Sequence, residues 1–339
     1  MPAPDLDTYL QRERRHRPSR REASGGTAPM NVPPIPERLE RAILFLRGDE
    51  DGRAWLDALP ARIDSYSRQW HLTTDAIADS GAMSCCVYCT TSDGTAAVLK
   101  IPVDSESGNT EVQLLQRWSE ADAAPRILDR DDGSGVFLMT RILPGTIAWP
   151  VDGRADADRF GELLTRLNRS GSSTRPALKD LADIAEMRMD WARDRFADPQ
   201  YAEDMEYFSA AEHLEQAKRV LAALLDTSAQ QYVLHADLQA KNILQGPDHW
   251  FTIDPLGAVG DINAEAALWI AIQDGPVSTE DRIEQLAHHS LLDPIRLRAW
   301  SFVFSVAEYR PYLVPSAKQM AAFVATTDPN QTITRLHKS

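Results

Sequence analysis

Cysteine is nearly absent from this 339-residue chain: Cys85, Cys86 and Cys89 are the only three. An odd, clustered trio is no disulfide framework. The histidines nearest to it in sequence, His71 and His16, lack ligand spacing, so the cysteines are expected to be reduced thiols on a strand rather than metal ligands. No run of about 18 apolar residues occurs, so no membrane-spanning helix is expected. Positive charge is in deficit: 36 Lys and Arg stand against 50 Asp and Glu, a net charge of −14. Binding to phosphate backbones calls for basic surface, so neither nucleic acid nor a membrane is expected as a partner. The balance suits a cationic ligand. What is present is ordinary for a globular chain: 43% hydrophobic and 25% charged residues, with a length that favours two domains.

Residues 1–36 read as a disordered extension. Six arginines between Arg12 and Arg21 are followed by Gly25, Gly26, Pro29, Pro33, Pro34 and Pro36. No apolar run follows them, which excludes a secretory or twin-arginine leader and leaves the cytoplasm as the expected location. Met30 opens a proline-rich stretch directly before helical periodicity, so a start at Met30 is an alternative that intact mass decides.

Leu39, Ile43, Leu44 and Leu46, then Trp55, Leu56, Leu59, Ile63 and Trp70, recur at helical spacing and predict two amphipathic helices over 37–70. Residues 84–91 and 95–103, around Asp93-Gly94, predict a hairpin. A helix is expected over 111–121, and two further strands over 127–129 and 135–142. Pro144, Gly145 and Pro150 break the chain. Helical stripes dominate beyond the break, interrupted by short apolar pieces at 232–234, and at 243–244 paired with 250–253. These pieces read as a small β-ribbon framing a loop. The expected organisation is an N-terminal lobe over 37–143, a helical lobe over 144–328 and a frayed tail over 329–339. Two lobes of unlike composition joined by a short hinge invite a ligand cleft.

The strongest chemical signal is His235-Ala236-Asp237-Leu238-Gln239-Ala240-Lys241-Asn242, with Asp254 twelve residues further on. Phosphoryl transfer needs one carboxylate to orient the attacking hydroxyl and accept its proton. It also needs a neutral oxygen and a second carboxylate to hold Mg²⁺ against phosphates. Asp237, Asn242 and Asp254 have that chemistry at that spacing. The bland alternative is that Asp237 and Asn242 merely form turns. His235 is a candidate base, although bracing of the loop explains it as well.

Lys100 ends the apolar stretch Ala97-Val98-Leu99. A lysine inside β-structure needs a partner. Glu111 is the candidate, with Glu106 competing, and the ammonium is then available for phosphates. The alternative is a snorkelling surface lysine. Ser80, Gly81 and Ser84, in Ser80-Gly81-Ala82-Met83-Ser84, make a small loop able to turn N–H groups toward phosphates. Met139 and Arg141 end a strand before the break and are candidates to meet the nucleotide base. Asp261 and Glu265 are candidates to contact the acceptor, with capping and packing as the alternative.

Together these residues resemble the aminoglycoside phosphotransferases, and within them the branch of streptomycin 6-phosphotransferases and hydroxyurea-resistance kinases. The resemblance spans residues 32–309. It rests on Gly52-Arg53-Ala54-Trp55-Leu56, Ala97-Val98-Leu99-Lys100, Arg141-Ile142-Leu143-Pro144-Gly145, Leu234-His235-Ala236-Asp237-Leu238, Asn242-Ile243-Leu244 and Ile253-Asp254-Pro255. It implies an α+β, two-lobed eukaryotic-protein-kinase-like fold, with a small antiparallel β-sheet lobe and a larger helical lobe. It also implies ATP or GTP as donor, Mg²⁺, and a hydroxyl on a polar, often cationic small molecule as acceptor. By that likeness Asp237 is the base, Asn242 and Asp254 bind Mg²⁺, and Lys100 with Glu111 holds phosphates.

Four positions depart from the family's usual residues: Ala236 for Gly, Gln239 for His, Lys241 often for Gly, and Leu256 often for Lys. They border the catalytic loop and the acceptor side. The rival readings are therefore a kinase for a sugar, amino sugar or nucleoside antibiotic, and a non-catalytic nucleotide-binding protein. The sequence leaves monomer or dimer open.

Overall fold

The structure, a computed structural model, describes residues 32–79, 83–151, 153–169, 177–227 and 230–338. The extension up to residue 31, the alternative start at Met30, and Ser80 and Gly81 lie outside the described residues. The chain divides into two compact units. One runs up to Val112 and takes in Arg126–Arg141; the other holds Gln113–Pro125 and everything from Ile142 on. Residues 113–125 group with the second unit, and the chain passes into that unit for good at Ile142.

In the first unit, helices α1 (Glu37–Arg47) and α2 (Asp49–Gln69) are separated by Gly48, whose φ of 76° halts the helix. They bury Leu39, Ile43, Leu56, Leu59 and Ile63. Val32 and Ile35, within the expected extension over 1–36, pack on the same core.

The sheet is antiparallel, in the order β1-β2-β3-β5-β4, with β1 Thr73–Ile77, β2 Ser84–Thr90, β3 Ala96–Pro102, β4 Ile127–Asp131 and β5 Val136–Thr140. Cys85, Val87, Cys89, Ala97, Leu99 and Ile101 share its helix-packed core. Alternation along a strand sends Lys100 to the other face. Helix α3 (Ser105–Ser119) starts six residues before the expected position, because Asp104 caps it by accepting the Ser107 N–H. Its first turn approaches the sheet closely: a Cβ on Gly135 (φ 71°) would lie 2.7 Å from Ser105 Cα.

The second unit contains α4 (Gly153–Leu167), β6 (Lys179–Asp180), α5 (Leu181–Phe196), α6 (Ala202–Tyr207), α7 (Ala210–Asp226) and β7 (Gln231–Leu234). It continues with β8 (Ile243–Gln245), β9 (Trp250–Thr252), β10 (Ala258–Asp261), α8 (Ile262–Ala271), α9 (Thr279–Leu286), α10 (Pro294–Ala307), α11 (Val314–Thr326) and α12 (Pro329–Leu336). All of α8 and nearly all of α10 are buried, and their buried charged side chains Glu265 and Arg296 are hydrogen-bonded inside.

Strands β8 and β9 form the expected ribbon. Strand β7 does not join it: β7 pairs antiparallel with β10, which also runs parallel to β6. The sequence of β10, Ala-Val-Gly-Asp, is too short and glycine-weakened to announce a strand. The expected frayed tail is corrected too. Asp328 caps α12 by accepting from Asn330 and Gln331, and Thr332 and Leu336 are buried.

Candidate active site

The residues from His235 to Asn242 form a loop between β7 and β8, fastened from three directions. The His235 carbonyl accepts the N–H groups of Leu256 (3.0 Å) and Gly257 (2.9 Å). The backbone N–H groups of His235 and Ala236 donate to Glu265 Oε2 (2.9 Å) and Oε1 (2.7 Å). Asn242 Nδ2 donates to the Asp237 carbonyl at 2.8 Å. Ala236 has φ 64° and Asp254 φ 57°, both in the left-handed region that favours glycine.

His235 is corrected from candidate base to brace. Its ring is fully buried and stacks on Trp118, with centroids 5.8 Å apart. Nε2 donates to the Ile253 carbonyl (2.9 Å), and Nδ1 accepts the Asp237 N–H (3.2 Å). Burial lowers its pKa to about 4, so the ring is neutral with both nitrogens committed.

Asp237 lies at the centre of a dense set of donors. Its Oδ1 accepts from Arg188 Nη2 (2.8 Å) and Gln239 Nε2 (2.6 Å). Its Oδ2 accepts from Asn242 Nδ2 (2.9 Å) and has Lys241 Nζ at 3.6 Å. Burial alone would raise its pKa, but Lys241, Arg188 and the Arg188 hydrogen bond outweigh burial and hold the carboxyl well below the usual range. The side chain keeps 22% of its surface exposed and that of Lys241 49%, whereas Arg188 keeps 5%. Arg188 Nη2 also holds the Ala236 carbonyl, and its Nη1 pairs with Glu308 Oε1 at 2.6 Å.

Asn242 is buried and Asp254 half-buried. The Ile253 N–H donates to the Asn242 carbonyl at 3.0 Å, tying the stretch before Asp254 to the loop. With Nδ2 given to Asp237, Asn242 offers Oδ1 as its hard donor, and Asp254 adds a carboxylate. That pair of donor types suits Mg²⁺.

Asp261 and Glu265, candidates to contact the acceptor, are engaged by protein groups in the way their alternative of capping and packing expected. Asp261 caps α8 through the Asn263 N–H and takes Arg296 Nε (2.6 Å) and Trp300 Nε1 (2.7 Å) on Oδ2. Both carboxylates are buried, and Glu265 is committed to the loop backbone. Burial raises the Glu265 pKa to about 7 despite those two donors.

In the first unit, Lys100 Nζ lies 2.6 Å from Glu111 Oε1, and both side chains are buried. Glu111, mid-helix in α3, is the partner Lys100 takes. Ser84 is buried, its hydroxyl 3.9 Å from Cys86 Sγ. Met139 pairs in the sheet with Val98 and Ile127. The Arg141 N–H, expected to meet a base, donates to the Ala96 carbonyl, and its guanidinium lies 3.8 Å above the Tyr88 ring.

Arg188 and Glu308 were not legible as site residues. They lie 49 and 71 positions from Asp237 in ordinary helical stripes, and only the packing of α5 and α10 brings them to the loop.

A family model described as "Aminoglycoside/hydroxyurea antibiotic resistance kinase" matches residues 69–308. The chain belongs to this family. As a member of the aminoglycoside/hydroxyurea antibiotic resistance kinases it is a phosphotransferase. A streptomycin 6-kinase of Streptomyces griseus is 31% identical over 233 residues, 67% of this chain and 71% of that protein. A hydroxyurea phosphotransferase of Kitasatospora aureofaciens is 28% identical over 267 residues, 75% and 73% of the two chains. The crystal structure of a choline/ethanolamine kinase family protein from Mesorhizobium loti aligns at TM-score 0.57 and 14% identity, over 86% of this chain and 99% of that one. At that identity the likeness concerns the fold, which is the α+β protein-kinase-like phosphotransferase fold.

Proposed function

We propose that this kinase moves the γ-phosphate of ATP or GTP to a hydroxyl of an aminoglycoside-like antibiotic; two of its relatives are named streptomycin 6-kinases. The observation that carries the reading is the Asp237 carboxylate, held ionised and oriented by Arg188, Gln239, Asn242 and Lys241 at the accessible edge of a braced loop.

An ionised carboxylate accepts the hydrogen bond of the acceptor hydroxyl and aims its oxygen at phosphorus. The new O–P bond forms as the bond from the γ-phosphorus to the β–γ bridging oxygen breaks. The hydroxyl proton passes to Asp237 and then to solvent, and a nucleoside diphosphate leaves. Lys100, fixed by Glu111, is assigned to the nucleotide's phosphates. Asn242 and Asp254 would hold Mg²⁺, which neutralises phosphate charge when bound. Among the described residues no group of three or more His, Cys, Asp and Glu is placed to hold a metal ion by itself. Such a two-ligand arrangement is how Mg²⁺ sites that lean on phosphates and water are built.

A second reading, a kinase for a sugar, amino sugar or nucleoside antibiotic, is favoured by Lys241, whose ammonium stands beside the oxygen where a cationic acceptor would have to approach. The deciding experiment is nucleotide turnover with Mg-ATP and Mg-GTP against streptomycin, other aminoglycosides, hydroxyurea, amino sugars and nucleoside antibiotics. Asp237→Ala serves as the control. A phosphorylated aminoglycoside that disappears in the control is the expected result; turnover confined to another class replaces the acceptor; turnover that survives Asp237→Ala overturns the assignment of the base.

A further inference from the structure

We infer that Arg188 is a positioning residue for the phosphoryl acceptor: with Gln239 it saturates Asp237 Oδ1 and so reserves Oδ2 for the attacking hydroxyl. The inference rests on the function proposed above.

An ionised carboxylate has about two acceptor sites on each oxygen. Oδ1 already receives Arg188 Nη2 at 2.8 Å and Gln239 Nε2 at 2.6 Å. Oδ2 receives one hydrogen bond, from Asn242 at 2.9 Å; Lys241 Nζ, at 3.6 Å, is an ion-pair neighbour beyond good hydrogen-bond length. A further donor therefore finds room on Oδ2, the side flanked by the half-exposed Lys241.

What prevents the carboxylate from turning is the fork of Arg188. Its Nη2 holds both the Asp237 side chain and the Ala236 carbonyl (3.0 Å), while its Nη1 is anchored on Glu308. Glu308 is itself held by Arg310 Nη1 at 2.6 Å. The guanidinium is 5% exposed, so it stays in place rather than sweeping into solvent. A planar fork spans these acceptors at once, whereas a lysine ammonium is a single point. Arg188 therefore touches neither donor nor acceptor and acts through Asp237.

The test uses the full chain with Arg188→Lys, and Arg188→Met combined with Glu308→Gln so that no buried carboxylate is stranded. In the double variant kcat is expected to fall about a hundredfold, the scale of a displaced reacting group, with the KM for nucleotide unchanged. The acid limb of the pH profile is expected to move up, because losing the guanidinium raises the Asp237 pKa. Arg188→Lys restores the charge and hence the acid limb, but not kcat, because the fork is gone.

A second readout needs no acceptor: carboxyl ¹³C NMR of Asp237, assigned with Asp237→Asn. At one fixed neutral pH the parent is expected to give a single sharp Asp237 carboxyl line, and the double variant a displaced and broadened one, because the carboxylate is then free to turn. Folded variants that keep the parent's kcat, acid limb and carboxyl line overturn the inference. If the parent phosphorylates no acceptor, the proposed function fails, and an unchanged carboxyl line then overturns this inference on its own.

Discussion

Glu265 accepts the backbone N–H groups of Ala236 and His235 on its two oxygens, at 2.7 and 2.9 Å, so a single buried carboxylate closes two consecutive donors of the loop that carries Asp237. An amide cannot do this, since one of its ends donates. Glu265→Gln is expected to leave one buried N–H without an acceptor and to cost about 1–3 kcal/mol. Urea unfolding checks the stability, and phosphotransfer is expected to fall with it. An unchanged midpoint would mean that the loop finds another brace.

His235 and Glu265 give opposite pH dependences. His235 is held neutral, with its pKa lowered from 6.5 to about 4 by burial, so the unfolded chain binds more protons between those values. Its contribution to stability is therefore lost as pH falls from about 6.5 toward 4. Glu265 is raised from 4.5 to about 7 by burial, so the folded chain binds more protons there, and its contribution falls as pH rises through that window. The two slopes nearly cancel in the parent. Glu265→Gln is expected to leave a melting temperature that climbs with pH between about 4 and 6.5. A profile parallel to the parent's would refute the assignment.

Ala236 is an L-residue at φ 64°. Left-handed backbone costs such a residue about 1–2 kcal/mol, against about 0.5–1 kcal/mol of extra chain entropy for glycine. Ala236→Gly is expected to stabilise the protein by up to about 1 kcal/mol, and Ala236→Val to destabilise it. Thermal unfolding of both variants checks the order.

Lys100 and Glu111 pair at 2.6 Å inside the first unit. Removing one partner strands a buried charge, at about 3–5 kcal/mol, whereas apolar replacement of both is tolerated. Lys100→Met is therefore expected to lower the melting temperature, and Lys100→Met with Glu111→Leu to recover it. The rise in melting temperature that Mg-ATP gives the parent is expected to be missing from both. A double variant that keeps the shift would remove Lys100 from nucleotide binding.

Lys241 is the exposed cation beside Asp237. Lys241→Gly is expected to raise kcat/KM for streptomycin severalfold relative to a neutral sugar acceptor, because like charge disfavours a cationic group nearby. The gain is expected to shrink with added salt, as half-exposed charges are screened. An unchanged acceptor profile would take Lys241 out of selection.

Local chemistry made much of this architecture legible. Helical periodicity marked α1 and α2, Asp93-Gly94 marked the β2–β3 turn, and the Asp237–Asn242 spacing marked the loop. The long-range bonds were not legible. Arg188 resembles any arginine on an amphipathic helix until α5 packs beside the loop. For Asp261 and Glu265 the sequence left acceptor contact and capping or packing both open, and only the long-range partners show one as a cap and the other as a brace. Helix α3 began early because Asp104 capped it before any apolar stripe started.

Around Asp237 exposure is graded: Arg188, Glu265 and His235 are enclosed, while Lys241 stands half open. Changes to the enclosed members propagate through several bonds at once, whereas a change at Lys241 acts through charge, on the Asp237 carboxylate as well as on the rim. On the proposed function, a single rim substitution changes the charge that an arriving acceptor meets and leaves the enclosed scaffold of the loop in place, so acceptor range and loop architecture can be altered separately.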